Sequence, residues 1–179
     1  MTGVGSVYGQ ALYALAKEEH LLEVVYGDLQ VLKACFEAEN EYLVLLSAAN
    51  ISVEERCQVV DEAFRNRVHP YVLNFLKVLT EKGYAREFND CFISFEKQYH
   101  IDNDILPIKA VSAVPLSEEQ TAKLIAKLSS MTGKNIKLTK EVLPECKGGV
   151  RLDFEGKRLD DTILKRLTDI NQMLTKTVL

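Results

Sequence analysis

The sequence predicts an α + α/β protein. An N-terminal six-helix bundle over residues 1–104 is followed by a small C-terminal α/β domain of mixed strands and two helices over residues 105–179. Three observations lead there. Apolar residues recur every three or four positions up to about residue 103, as one face of a helix requires. From Leu106 onward the recurrence falls to every second position, the period of a half-buried strand. Capping boxes, a proline and glycines punctuate the chain at the expected element boundaries.

In the first half, Tyr8, Ala11, Leu12 and Leu15 form the apolar stripe of a helix running to about His20, with Tyr13 lying away from it. Leu22, Val25, Leu29, Leu32 and Phe36 step along a second, longer helix. A short helix over Glu41–Leu46 comes next, and Ser52-Val53-Glu54-Glu55 is a capping box that opens another, through about Phe64. Pro70 suits a first helical turn and Gly83 a helix end. The sixth helix carries Phe88, Phe92, Phe95 and Tyr99 on one face, a stripe that reads as core.

In the second half, Leu106–Val114 is rich in β-branched residues and reads as a strand. Ser117 and Gln120 form a second capping box for a helix ending near Thr132, and Ile136–Val142 alternates again. Gly148 and Gly149 then open a segment with Val150, Leu152 and Phe154 on one face and Arg151, Asp153 and Glu155 on the other. Glu155-Gly156 reads as a tight turn into a return strand ending at Leu159. Asp160, Asp161 and Thr162 cap a final helix with the stripe Ile163, Leu167, Ile170 and Leu174.

Composition narrows the function. The chain is 47% apolar and 27% charged, ordinary for a folded domain. Its net charge of −4 gives no electrostatic support for nucleic-acid binding. Cys35, Cys57, Cys91 and Cys146 lie far apart, without metal-ligand spacing, and read as free thiols in a reducing compartment. No apolar run is long enough for a membrane helix, and the N-terminus lacks a signal-peptide pattern. The reading is a soluble chain in a bacterial-type cytoplasm.

A search for chemistry finds none. Gly133-Lys134 is followed by Asn135, and position 128 is a leucine, so the phosphate-loop spacing fails and a helix end explains the pair. Gly148-Gly149 enters a strand, whereas a dinucleotide fingerprint leaves one. His20, His69 and His100 sit at separate helix ends, and Asp160-Asp161 is explained by capping. No catalytic, metal or cofactor residue is predicted. Two helices are nevertheless apolar on more than one side. On the helix opened by Pro70, Val72, Leu76 and Leu79 form the core stripe, while Tyr71, Asn74 and Val78 fall roughly opposite. The first helix is similarly broad. Such surplus is either buried within the bundle or forms a groove for a partner's amphipathic helix.

Four segments in order resemble the delta subunit family of bacterial F-type ATP synthases, relatives of the mitochondrial oligomycin-sensitivity-conferring protein. These are Tyr8–Ala16, Asn74–Gly83, Ser112–Gln120 and the stretch from Gly148 to Leu167, so the resemblance runs from about Tyr8 to Leu174. Thr162 stands where serine is more usual, and Cys146 and Lys147 where aliphatic residues are common. Gly9 replaces an alanine, which weakens an isolated helix by roughly 0.5–1 kcal/mol and leaves room for close approach.

The resemblance implies a non-catalytic peripheral-stalk subunit on the cytoplasmic face of the cell membrane, reaching the membrane only through its complex. The N-terminal domain would bind N-terminal segments of alpha subunits, and the C-terminal domain the C-terminal region of the b subunit. Held in this way, the catalytic head cannot turn with the rotor, so proton flow is coupled to ATP synthesis. The expected alpha-binding groove lies between the first and fifth helices, with Tyr8, Ala11, Leu12 and Leu15 on one wall and Asn74 and Val78 on the other. Gly148, Gly149, Val150, Gly156, Asp160 and Thr162 are expected to shape the C-terminal hairpin and cap. The competing reading is a helical adaptor that binds an amphipathic peptide in another assembly; a stand-alone hydrolase is more remote, for want of an activated nucleophile.

Overall fold

The computed structural model describes residues 3–144, 150–154 and 157–159. Six α-helices come first: α1 (Gly3–Glu18), α2 (Leu22–Ala38), α3 (Glu41–Leu46), α4 (Val53–Phe64), α5 (Pro70–Glu81) and α6 (Phe88–Asp102). A 3-10 turn over Ala85–Glu87 leads directly into α6. Strand β1 (Ile105–Ser112), helix α7 (Glu118–Thr132) and strands β2 (Asn135–Val142), β3 (Val150–Phe154) and β4 (Lys157–Leu159) follow. The chain divides into two compact units, residues 1–99 and 100–179. The division falls in the last turn of α6, a few residues ahead of the change in sequence periodicity.

In the N-terminal unit the punctuation works as the sequence requires. Ser52 and Glu55 make a reciprocal capping box at α4, satisfying two otherwise unpaired N–H groups. Phe88, Phe92, Phe95 and Tyr99 are all buried. Phe36 meets Phe88 edge-on at 4.9 Å, and Tyr13 meets Phe95 edge-on at 5.3 Å. These are favourable aromatic geometries, beyond the area they bury.

The face of α1 is a correction. The buried residues are Gly5, Gly9, Leu12, Tyr13 and Ala16, whereas Ala11 and Leu15 are exposed and Tyr8 is half-buried. Tyr13, expected to lie away from the apolar stripe, is core. The physical reason lies in the two glycines. A Cβ at Gly5 would overlap Asp90 Cβ, and one at Gly9 would overlap the Cys91 carbonyl oxygen and lie 2.8 Å from Ser94 Cβ. Bare backbone at these positions lets α1 press onto α6. The helix is thereby rolled so that the glycine edge, not the Ala11–Leu15 edge, faces inward. Gly9 does permit a close approach, and what approaches is α6.

The C-terminal unit is a small mixed sheet in the order β2-β1-β3-β4. β1 pairs in parallel with β2 and antiparallel with β3, and β3 pairs antiparallel with β4. A parallel pair needs a crossover, and α7 supplies it. Ser117 and Gln120 cap α7 reciprocally, and Gly133 ends it at φ 68°. Leu106, Ile108 and Ala110 of β1 alternate onto one face with Leu152 and Phe154 of β3 and pack with Leu128 of α7. Arg151 and Asp153 take the other face and pair at 3.2 Å. The expected final helix and its cap lie outside the described residues, as does the turn at Glu155-Gly156.

Candidate functional site: an outward face on α1 and α5

Helix α5 carries Val72, Leu76 and Leu79 inward, all fully buried, and presents Asn74 and Val78 outward. Val78 and, on α1, Leu15 are each 37% exposed. Ala11 is exposed, Tyr8 is half-buried, and Leu12 is turned into the core at 5%. Of the six residues expected to contact a partner, five therefore retain outward surface. Leu12 supports the helix from beneath.

The end of α5 meets α1 through a C-cap. Gly83 adopts φ 74°, a left-handed conformation that is strained for side chains with a Cβ. Its N–H donates to the Thr80 carbonyl at 3.2 Å, and the Tyr84 N–H reaches back to the Leu79 carbonyl at 2.7 Å. This doubly bonded cap satisfies two carbonyls at the helix end and reverses the chain. It also places the Tyr84 ring 6.0 Å from that of Tyr8. The glycine thus does more than stop a helix: it sets the aromatic contact beside the outward face.

Charges hold α5 at both ends and near its middle. At the N-terminus, the backbone N–H of His69 donates to the Asp28 carboxylate at 2.6 Å, and His69 Nδ1 accepts from the Tyr71 N–H at 3.3 Å. At the C-terminus, the buried Arg56 guanidinium donates through Nη1 to the Leu46 carbonyl at 2.8 Å and the Thr80 carbonyl at 3.4 Å. A carboxylate at the start of a helix and a cation at its end both complement the helix dipole. Between them, Lys77 pairs with Asp61 of α4 at 2.6 Å. The hydrogen bond from Lys77, with a further one from Arg65, holds the Asp61 carboxyl below its ordinary range against the opposing effect of desolvation. Arg56, Asp28 and Asp61 were not singled out from the sequence. A signal for Arg56 was present, because it shares the i, i+4, i+8 face of α4 with buried Val60 and Phe64.

Of the residues predicted to shape the C-terminal hairpin and cap, Val150 is among the described residues. Val150 is half-buried at the edge of the C-terminal core and pairs with Ser112. Gly148, Gly149, Gly156, Asp160 and Thr162 lie outside the described residues. His20 sits at φ 58° in the turn after α1, His69 caps α5, and His100 is buried in the last turn of α6. Among the described residues, no cluster of three or more His, Cys, Asp or Glu side chains is placed to hold a metal ion. Among them, too, no helix is long and apolar enough to cross a membrane.

The family model for the ATP synthase delta (OSCP) subunit matches residues 4–174. The chain belongs to that family. It is 32% identical to the ATP synthase subunit delta of Alkaliphilus oremlandii over 173 residues, which cover 97% of this chain and 96% of that one. It is 33% identical to the corresponding subunit of Desulfitobacterium hafniense strain DCB-2, with 94% of each chain covered. A chain in the cryo-EM structure of the Toxoplasma gondii mitochondrial ATP synthase hexamer superposes with a TM-score of 0.72 at 21% identity. That match covers 97% of this chain and 98% of the other, and at such identity it speaks for the fold. The chain is thus a non-catalytic peripheral-stalk subunit of an F-type ATP synthase. A stator component must hold its partners under load, and the arrangement around α5 is one of anchoring.

Proposed function

We propose that the outward face of α1 and α5 receives the N-terminal helix of an alpha subunit of the catalytic head. The observation that carries this reading is that each of these two helices leaves an apolar side chain exposed, Leu15 on α1 and Val78 on α5, beside the Tyr8–Tyr84 contact. Ala11 and Asn74 lie at helical spacing from them, i−4 to each, so an amphipathic helix can seat its apolar face against them. Leu12 acts from below, keeping α1 in place. The C-terminal domain, residues 105–179, holds the C-terminal region of the b subunit. Joined in this way, head and stalk resist the rotor's torque, and proton flow is coupled to ATP synthesis. The subunit works at the cytoplasmic face of the cell membrane and reaches the membrane only through its complex.

Titration of a labelled alpha N-terminal peptide tests the first contact. Ala11→Asp and Val78→Asp each place an unpaired charge under the docked helix, and affinity is expected to fall by roughly a hundredfold. Unchanged affinity in both variants rejects the assignment. A chain ending at residue 104 is expected to keep alpha-peptide binding and lose b-subunit binding; retained b binding rejects the division of labour.

A further inference from the structure

We propose that a second groove, between α3 and the segment leading to α4, docks a basic amphipathic helical segment of a partner protein, a contact beyond the alpha and b contacts proposed above. Helix α3 sends only Leu46 into the core. Val44 is 51% exposed, and Tyr42 and Leu45 are each 37% exposed, so three large apolar side chains stand outward on a six-residue helix. With Ile51 they line a groove of about 610 Å³ whose rim carries Glu39 and Glu41. An apolar strip of this kind, bounded by polar residues, marks an interaction surface.

The charge around it selects the partner. The exposed Glu39 and Glu41 give that rim its charge, and no lysine or arginine lines the groove. The rim therefore repels acidic segments and anionic lipid, and attracts lysine or arginine flanking an apolar stripe. Anchors at i, i+3, i+4 and i+7 on such a segment enter the groove while its basic residues reach Glu39 and Glu41. The Tyr42–Ile51 groove and the α1–α5 face do not share a residue, so the two contacts can be tested separately.

The probe is a fluorescent synthetic helix of about four turns with leucines at those anchor positions and lysines flanking them, titrated into the full chain. Saturable binding is expected, weakened about tenfold or more by Val44→Asp, by the double change Glu39→Gln with Glu41→Gln, and by raised salt. Val44 is half-exposed and both glutamates are exposed, so unaltered thermal melts are expected and show that the variants fold. Val78→Asp is expected to leave this probe's affinity unchanged. Equal binding of a probe with glutamates in place of the lysines overturns the proposal, as does full affinity in the groove variants. Loss of binding in Val78→Asp also overturns it, by assigning the probe to the α1–α5 face, and leaves the alpha-subunit reading standing. A wild-type dimer in sedimentation that Val44→Asp converts to monomer overturns it in favour of a second copy of this chain.

Discussion

Tyr26 and Tyr99 stack with ring centroids 4.2 Å apart and planes 21° from parallel, and each donates to a glutamate on the other's helix. The Tyr26 hydroxyl reaches Glu96 of α6 at 2.8 Å, and the Tyr99 hydroxyl reaches Glu23 of α2 at 2.7 Å. Both pairs use the same offset, three residues along each helix, so the clamp closes symmetrically. Burial, then the bond to Glu23, push the Tyr99 phenol up from 10.0 to about 12. The folded state thus retains this proton more tightly than the unfolded chain. The associated stability is complete below pH 10.0 and is lost as pH rises toward about 12. Tyr99→Phe keeps the ring, loses about 1 kcal/mol at neutral pH, and removes that part of the alkaline decline. Urea midpoints of the two proteins across this range check it; parallel declines would contradict the assignment.

Two helical glycines are expected to respond in opposite directions. At Gly9 an added methyl meets the Cys91 carbonyl, so the helix-propensity gain of Gly9→Ala is outweighed by an overpacking cost of about 1–3 kcal/mol. Gly27 has nothing within 4 Å of an added Cβ, and Gly27→Ala is expected to stabilise by about 0.5–1 kcal/mol. Denaturant melts of both variants decide this. A Gly9→Ala protein more stable than wild type would show that α1 does not press on α6 as closely as the structure has it.

His20 fills a position that suits glycine. Its N–H donates to the Lys17 carbonyl and the Leu21 N–H to the Ala16 carbonyl, the same pair of bonds that Gly83 and Tyr84 make after α5. His20 adopts φ 58° to do so, which costs a residue with a Cβ roughly 1 kcal/mol. His20→Gly is therefore expected to raise stability by about that amount, and Gly83→Ala to lower it by a similar amount. Thermal melts that move in one direction for both variants would count against equivalent caps.

These comparisons also indicate which features can be read from a sequence. The Phe88–Tyr99 stripe, the Ser52 and Ser117 caps and the Val150–Phe154 alternation were legible because each depends on local period or local hydrogen bonding. The rotation of α1 was not, because Gly5 and Gly9 act through space against α6, and a propensity argument counts them only as weak helix formers. The end of α1 gave no glycine to mark it. Arg56 was not singled out because its acceptors, the Leu46 and Thr80 carbonyls, are brought to it only by tertiary packing. At the candidate site, the pattern gave the outward residues of α5 correctly. It missed the charges that hold that helix.

Arg56 offers a test that joins this anchoring to the proposed alpha-subunit contact. Its guanidinium bonds a last-turn carbonyl of each of α3 and α5 from a buried position on α4. Arg56→Met retains most of the apolar stem and removes the donors, leaving those carbonyls without this charged partner. Hydrogen bonds to charged groups suggest a loss of about 1.5–3 kcal/mol. Arg56→Lys is expected to recover little, because the shorter lysine stem does not bring its strongly hydrated ammonium to the buried position from which Nη1 bonds both carbonyls. The end of α5 positions Gly83 and Tyr84, so loosening it shifts Tyr84 away from Tyr8 and disturbs the outward face. Under conditions where Arg56→Met remains folded, affinity for the alpha N-terminal peptide is expected to fall without any change at Ala11, Leu15 or Val78. A folded Arg56→Met protein that binds this peptide as wild type does would show that the charged anchor serves stability alone.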